Sequence, residues 1–209
     1  MIKPVILLTV YRRYKELELS LRQIKQRIGE FKIQPDVVVV LAAPEVGHLW
    51  FFQKLQQEGL IHHLLIRPKL IGGDGVSATT YTESRNIRLG LNFIKANYSH
   101  YEKFYALVQA ADVNPKVGTY GMMDAFMHGE SEEERNPKAF LYRWPNNCVQ
   151  VDVWHTNLFC VILDDNYWPP ISELGDQDVL EHKWGKELSS KRLPGIIKWL
   201  NYNNKYFVH

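Results

Sequence analysis

Cysteine is nearly absent from this chain: Cys148 and Cys160 are the only two among 209 residues, and their spacing matches no zinc or redox motif. Such usage fits a reducing compartment, with a single disulfide between them left open. An excess of one charge is missing as well. The 25 Lys and Arg against 23 Asp and Glu leave a formal +2, too balanced to point to nucleic acid or a membrane surface. Long apolar runs are missing: the longest, Val37 to Pro44, falls far short of the roughly 20 residues a membrane helix needs. Met1-Ile2-Lys3-Pro4-Val5 opens directly into a strand without the layout of a signal peptide, so a cytoplasmic location is expected. No Gly-x-Gly-x-x-Gly follows that strand, which weighs against a dinucleotide-binding oxidoreductase. Internal repeats, low-complexity segments and clear linkers are also lacking.

What is present suits a globular domain with a real core. Hydrophobic residues make up 45% and charged residues 23%, both ordinary values. Aromatics reach 12%, and the six tryptophans can serve as core or as stacking walls for sugars and bases. Val5 to Val10 reads as a first strand. Leu17, Leu21, Ile24 and Ile28 then recur at helical spacing, which predicts an amphipathic helix over 14–28. Val37 to Leu41 is a buried second strand, so the order is that of a βαβ unit with a parallel sheet. A helix from His48 to Glu58 and a strand from Ile61 to Ile66 follow. Gly72-Gly73-Asp74-Gly75 has little side chain and lets backbone approach a ligand closely. Ile87, Leu91 and Ile94 share one face of the next helix, which carries Arg85 and Arg88 three residues apart. Two guanidiniums near a helix N-terminus suit a phosphate, although the same pair also reads as solvated.

The stretch from Glu102 to Pro115 is aromatic and β-branched, then polar, as in a buried strand that ends in a turn at Asn114-Pro115. Asp112 falls where that strand stops, in the crevice where α/β folds bind ligands, or as a simple cap of the turn. Further on, a helix is expected over 117–128, a charge run over 130–135 and a strand over 139–142. The alternating Val149, Val151 and Val153 with Leu158 to Leu163 suggest a hairpin around His155-Thr156-Asn157. Lys205 to His209 reads as an unfinished strand, so 1–209 is expected to be one domain, the N-terminal part of a longer protein with further domains beyond.

Three segments carry a resemblance. Tyr98 to Pro115 resembles the strand and metal motif of nucleotide-sugar glycosyltransferases with the GT-A fold, in which Asp-x-Asp closes a central strand. Glu83 to Leu91 is similar to the Arg-Asn helix that precedes that strand in many of them. Asp176-Gln177-Asp178-Val179-Leu180, followed by Arg192-Leu193-Pro194 and Trp199, resembles the Asp-Gln-Asp region of the retaining family of glycogenin and bacterial lipopolysaccharide galactosyltransferases. The chain also resembles glycosyltransferase domains of large algal viruses, which would place it in a host cytoplasm. The resemblance implies a single GT-A-like α/β domain with a mostly parallel sheet flanked by helices and a small antiparallel hairpin.

It further implies a UDP-sugar as donor, a glycan or protein hydroxyl as acceptor, and Mn²⁺ or Mg²⁺ to neutralise the departing diphosphate. Asp112 is then the metal ligand, with His209 on the last strand or His155 as its helper. The first acidic position of the family's Asp-x-Asp is Ala110 here, so one carboxylate carries that motif. Arg85 would hold the pyrophosphate bidentately. Thr9, Tyr11 and Arg13 stand where this fold receives base and ribose, and Glu45 or Asp74 could accept a hydrogen bond from the base. Asp176, Gln177 and Asp178 would face sugar and acceptor: with retention, Gln177 lies near the anomeric carbon, and with inversion Asp178 or Asp176 is the general base. Asp176 also fits a helix N-cap. A nucleotidylyltransferase would need a glycine-rich loop after the first strand, which Thr9 to Arg13 does not supply. A carbohydrate- or nucleotide-sugar-binding domain with a degenerate site is the alternative that Ala110 favours.

Overall fold

The computed structural model describes residues 1–42, 44–67, 76–111, 114–128, 139–143, 158–164, 197–200 and 207–208. In chain order they form β1 (Ile2–Val10), α1 (Tyr14–Arg27), a 3₁₀ turn (Ile28–Glu30), β2 (Asp36–Ala42), a second 3₁₀ turn (Val46–His48) and α2 (Leu49–Gln57). Then come β3 (His63–Arg67), α3 (Val76–Tyr98), β4 (Lys103–Ala110), β5 (Asn114–Pro115) and α4 (Thr119–Met127). The last strands are β6 (Ala139–Arg143), β7 (Leu158–Asp164), β8 (Ile197–Leu200) and β9 (Phe207–Val208). The main sheet runs β3-β2-β1-β4-β7-β6-β8, while β5 and β9 pair separately. Its first four strands are parallel, and β7 joins β4 antiparallel. This is the expected α/β class with a mostly parallel sheet.

Burial on both faces explains the unbroken apolar runs. Val5, Ile6, Leu7 and Leu8 of β1 are all fully buried. Alternate residues serve opposite faces, as the period of a strand requires. Ile6, Leu8, Val39, Leu41 and Leu107 pack with Leu17, Leu21 and Ile24 of α1 and Phe52 and Leu55 of α2. Val5, Leu7, Val38, Val40 and Ala106 meet Ile87, Leu91 and Ile94 of α3.

Strand β7 has β4 on one side and β6 on the other, both antiparallel, while the 149–153 run of the expected hairpin lies outside the described residues. Such pairings follow from long-range register, which local alternation cannot reveal. One sequence expectation is corrected: α3 begins at Val76, so Arg85 stands about nine residues into the helix and not at its start. At 1.5 Å per residue it is about 13 Å past the helix start and about 9 Å past the last free N–H group.

The placement of α3 matters for the site. Tyr98 near its end donates to Asp36 Oδ2 at 2.6 Å, at the start of β2, so the helix runs antiparallel to the strands. Gly90 lies on Leu7, where a Cβ would collide with the leucine's δ-carbons. From Gly90 back to Val76 the helix rises about 21 Å. Beyond Leu7, β1 has only about 10 Å left. The first turns of α3 therefore extend past the carboxyl edge of the sheet and wall it on one side.

The segment after β4 is tied down from the other face. The Glu30 carboxylate accepts from the N–H groups of Gly118 and Tyr120, both at 3.0 Å, which caps α4 and complements its dipole. Arg27 Nε donates to the Pro115 carbonyl at 2.9 Å. Asp124, buried in α4, accepts from the Tyr105 hydroxyl at 2.7 Å and from the Lys32 N–H at 3.0 Å. Among the described residues no helix is long and apolar enough to cross a membrane.

Candidate functional site at the carboxyl edge of the sheet

Register brings four strand ends level. Thr9 is opposite both Val40 of β2 and Ala110 of β4, Val10 is opposite Leu41, and Ala42 is opposite Arg67 of β3. The loops that leave these ends share one crevice, as in other open α/β sheets. It holds Thr9, Tyr11 and Arg13 from β1, Glu45 after β2, Arg67 at the end of β3 and Asn114 after β4.

Thr9, the last residue but one of β1, is 7% exposed. Tyr11 is half-buried and carries the Arg12 guanidinium over its ring, 4.9 Å from the centroid. Arg12 adopts φ 61°, a left-handed conformation that costs a side-chain-bearing residue energy and often marks a functional turn. The Arg13 N–H donates to the Tyr11 carbonyl at 2.9 Å, and the Arg13 carbonyl accepts the first helical bond of α1, from Leu17. The tight loop thus fixes Tyr11 and Arg13 relative to the sheet.

Glu45 is exposed, with Oε2 3.3 Å from His48 Nδ1. The His48 ring leans on Tyr14 at 4.9 Å, and Tyr14 meets Phe52 edge-on at 5.1 Å. Burial, and then the Glu45 charge, hold the Tyr14 hydroxyl above its ordinary pKa. Glu45 is therefore a solvent-facing carboxylate on a rigid aromatic base, suited to accepting from a base N–H.

Arg67 is a site residue that the sequence reading missed. Burial, and then the nearby positive charge of Arg85, hold its guanidinium below the usual arginine range. Its Nη1 is buried and has no hydrogen-bond partner among the described residues. The available signal was a lone cation ending the apolar run Leu64 to Ile66, just before Pro68. Asn86, next to Arg85, is 1% exposed and points inward, its Oδ1 without a partner among the described residues.

Asp74, Asp112, His155, Asp176, Gln177, Asp178 and His209 lie outside the described residues. The β5–β9 ladder nevertheless sets Asn114 against Val208, the strand residues that follow Asp112 and precede His209 in sequence. The Asn114 Oδ1 is buried without a partner among the described residues. No group of three or more His, Cys, Asp or Glu able to hold a metal occurs among the described residues.

The sheet order, the overhanging α3 and the carboxyl-edge crevice define a GT-A-like fold. No protein-family model and no curated protein matches the sequence. Among solved structures, TarS residues 1–349 from S. aureus superimposes with a TM-score of 0.55 at 13% identity, covering 98% of this chain and 59% of that one. The same fragment with UDP-GlcNAc gives 0.55 at 12% identity over 98% of this chain and 57% of that one. The mannosyltransferase PcManGT from Pyrobaculum calidifontis, in complex with GDP-Man and Mn²⁺, gives 0.54 at 13% identity over 97% and 55%. The chain thus spans less than two thirds of these proteins' length, and the likeness is one of fold.

Proposed function

We propose that this chain is a glycosyltransferase that takes a nucleotide sugar, with UDP as the carrier, and moves the sugar to a hydroxyl of a glycan or protein. The observation that carries this reading is the level ending of four parallel strands, with Thr9, Tyr11, Glu45 and Arg67 at one edge and α3 rising over it. TarS with UDP-GlcNAc and PcManGT with GDP-Man share that fold. A UDP donor enters with its base on the Tyr11 ring and its base N–H donating to Glu45 or Asp74, while Thr9 and Arg13 take the ribose. Arg85 holds the diphosphate.

In the reaction the bond from the anomeric carbon to the diphosphate oxygen breaks and a bond to the acceptor oxygen forms. The acceptor proton leaves with the diphosphate or to a carboxylate, and negative charge builds on the leaving group. With Gln177 beside the anomeric carbon and Asp176 and Asp178 orienting hydroxyls, the transfer retains configuration. The donor set fits a hard divalent ion: a carboxylate at Asp112, an imidazole at His209 or His155, and the Asn114 amide oxygen, which has no partner among the described residues. Mn²⁺ or Mg²⁺ held there supplies neutralisation of charge on the departing diphosphate.

Thermal shift with UDP, GDP and their sugars, with and without Mn²⁺, tests the reading. UDP with Mn²⁺ is expected to raise the melting temperature, and Asp112→Ala and Arg85→Ala each to weaken UDP binding about tenfold or more. Unchanged affinity in either variant removes that residue from the site. Ala110 supports a second reading, a binding domain with a degenerate site. It predicts UDP-sugar binding with no release of UDP from any sugar in the panel.

A further inference from the structure

Arg67 and Arg85 set two like charges near each other at one end of the sheet. Arg67 closes β3, the edge strand, level with Ala42 of β2. Arg85 stands five residues before Gly90, whose backbone lies on Leu7. That spacing lifts it about 7 Å along α3, to the height of the strand ends. The two cations come from different elements and feel each other's charge. No carboxylate pairs with Arg67 among the described residues, and its Nη1 is buried with no bond. A partly buried cation left unpaired beside a like charge is costly unless a ligand completes it. Lys3, by contrast, is bonded to Asp36 at 2.9 Å and to the Gln34 carbonyl at 2.8 Å.

We propose that Arg67 and Arg85 together form a two-guanidinium seat for a diphosphate at the carboxyl edge of the sheet. Two planar forks from β3 and α3 match the oxygens of a diphosphate, which a single cation engages on one side only. The seat also answers the loss at Ala110. Where one carboxylate is missing from the metal motif, fixed guanidiniums take over part of the neutralisation of the leaving group. The site then grips its diphosphate without depending wholly on a divalent ion. This inference deepens the nucleotide-sugar reading and rests on it for the identity of the natural ligand.

Inorganic pyrophosphate, UDP and UMP are the probes, each titrated by calorimetry into the full chain in EDTA and again in Mn²⁺. Pyrophosphate and UDP should bind in EDTA, with UMP at least tenfold weaker. Arg67→Met should lose about tenfold or more of the affinity for pyrophosphate and UDP in EDTA. Its melting temperature without ligand should equal or exceed that of the wild type, because an unpaired charge is removed. Arg67→Lys should recover only part of the affinity. Wild-type pyrophosphate affinity in Arg67→Met, or an absolute need for Mn²⁺, overturns the seat. Pyrophosphate binding that needs Arg67, with no binding of UDP, keeps the seat and instead sinks the UDP-sugar reading.

Discussion

Arg12 joins backbone strain to a contact on the site wall. Its left-handed φ of 61° is held by the Tyr11–Arg13 turn, and its guanidinium covers one face of Tyr11. Glycine takes that conformation without a Cβ penalty, and alanine does not. Arg12→Gly should therefore be more stable than Arg12→Ala by about 1 kcal/mol, read from urea midpoints at constant slope. Both variants lose the cation–π contact, so equal stabilities would mean that the turn carries no strain. Individual residues were the least legible part of the sequence. Thr9, Tyr11, Arg13 and Glu45 could be placed at the carboxyl edge because they end or follow recognisable strands. Arg67 could not, since a cation at a strand end looks solvated until the α3 arginine is seen across from it. Asp124 was equally hidden: its i,i+4 spacing to His128 was visible, but not the Tyr105 hydroxyl that comes to it from β4.

At the scale of elements, the contact between α3 and β1 is set by Gly90. A methyl there would gain helix propensity of about 1 kcal/mol over glycine. It would also strike Leu7, which is fully buried and hemmed in by Ile87, Leu91 and Ile94. Overpacking of that kind costs about 1–3 kcal/mol, so Gly90→Ala should destabilise on balance. It should also lift the helix and with it Arg85, weakening diphosphate binding. A more stable Gly90→Ala chain would show that Leu7 can move aside. The first βαβ unit was readable because Leu17, Leu21 and Ile24 repeat at helical spacing between two buried runs. The start of α3 was not, because Val76-Ser77-Ala78-Thr79-Thr80 contains three β-branched residues and no evident cap. The β4-β7-β6-β8 pairing was hidden for another reason: strand neighbours far apart in sequence are chosen by the sheet as a whole.

For the whole molecule, the amino edge of the sheet carries an acid response among the described residues. The Val37 N–H donates to His62 Nδ1 at 3.0 Å, which requires that nitrogen to be unprotonated. Burial, and beyond it the charges of Lys3 and His63, hold His62 below its ordinary value of 6.5, against the pull of Asp36. Its contribution is complete above about pH 6.5 and is lost as pH falls through the lower folded value. Burial alone would raise Asp36, but bonds from Tyr98 and Lys3 outweigh it and leave it below the ordinary 3.8. That contribution is complete above about pH 4 and disappears as pH falls through its folded value. Urea midpoints should therefore fall in two stages on acidification, and His62→Gln should abolish the upper one. A single stage near pH 4 in the wild type would mean that His62 titrates alike in both states.

The ladder between Asn114 and Val208 has a consequence for the order of assembly. Its two strands are separated by most of the second half of the chain, about as far as β1 from β4 and much farther than β1 from β2 or β2 from β3, so closing it costs more loop entropy than those two pairings. Contacts of such long sequence separation form late. The β1, β2 and β3 strands should therefore pair first, and the crevice should be finished only when the far end of the chain docks beside β5. In a refolding experiment, the helical circular-dichroism signal should return before the capacity to bind UDP with Mn²⁺. If both returned in a single phase at one rate, the ladder would belong to the same cooperative step as the sheet.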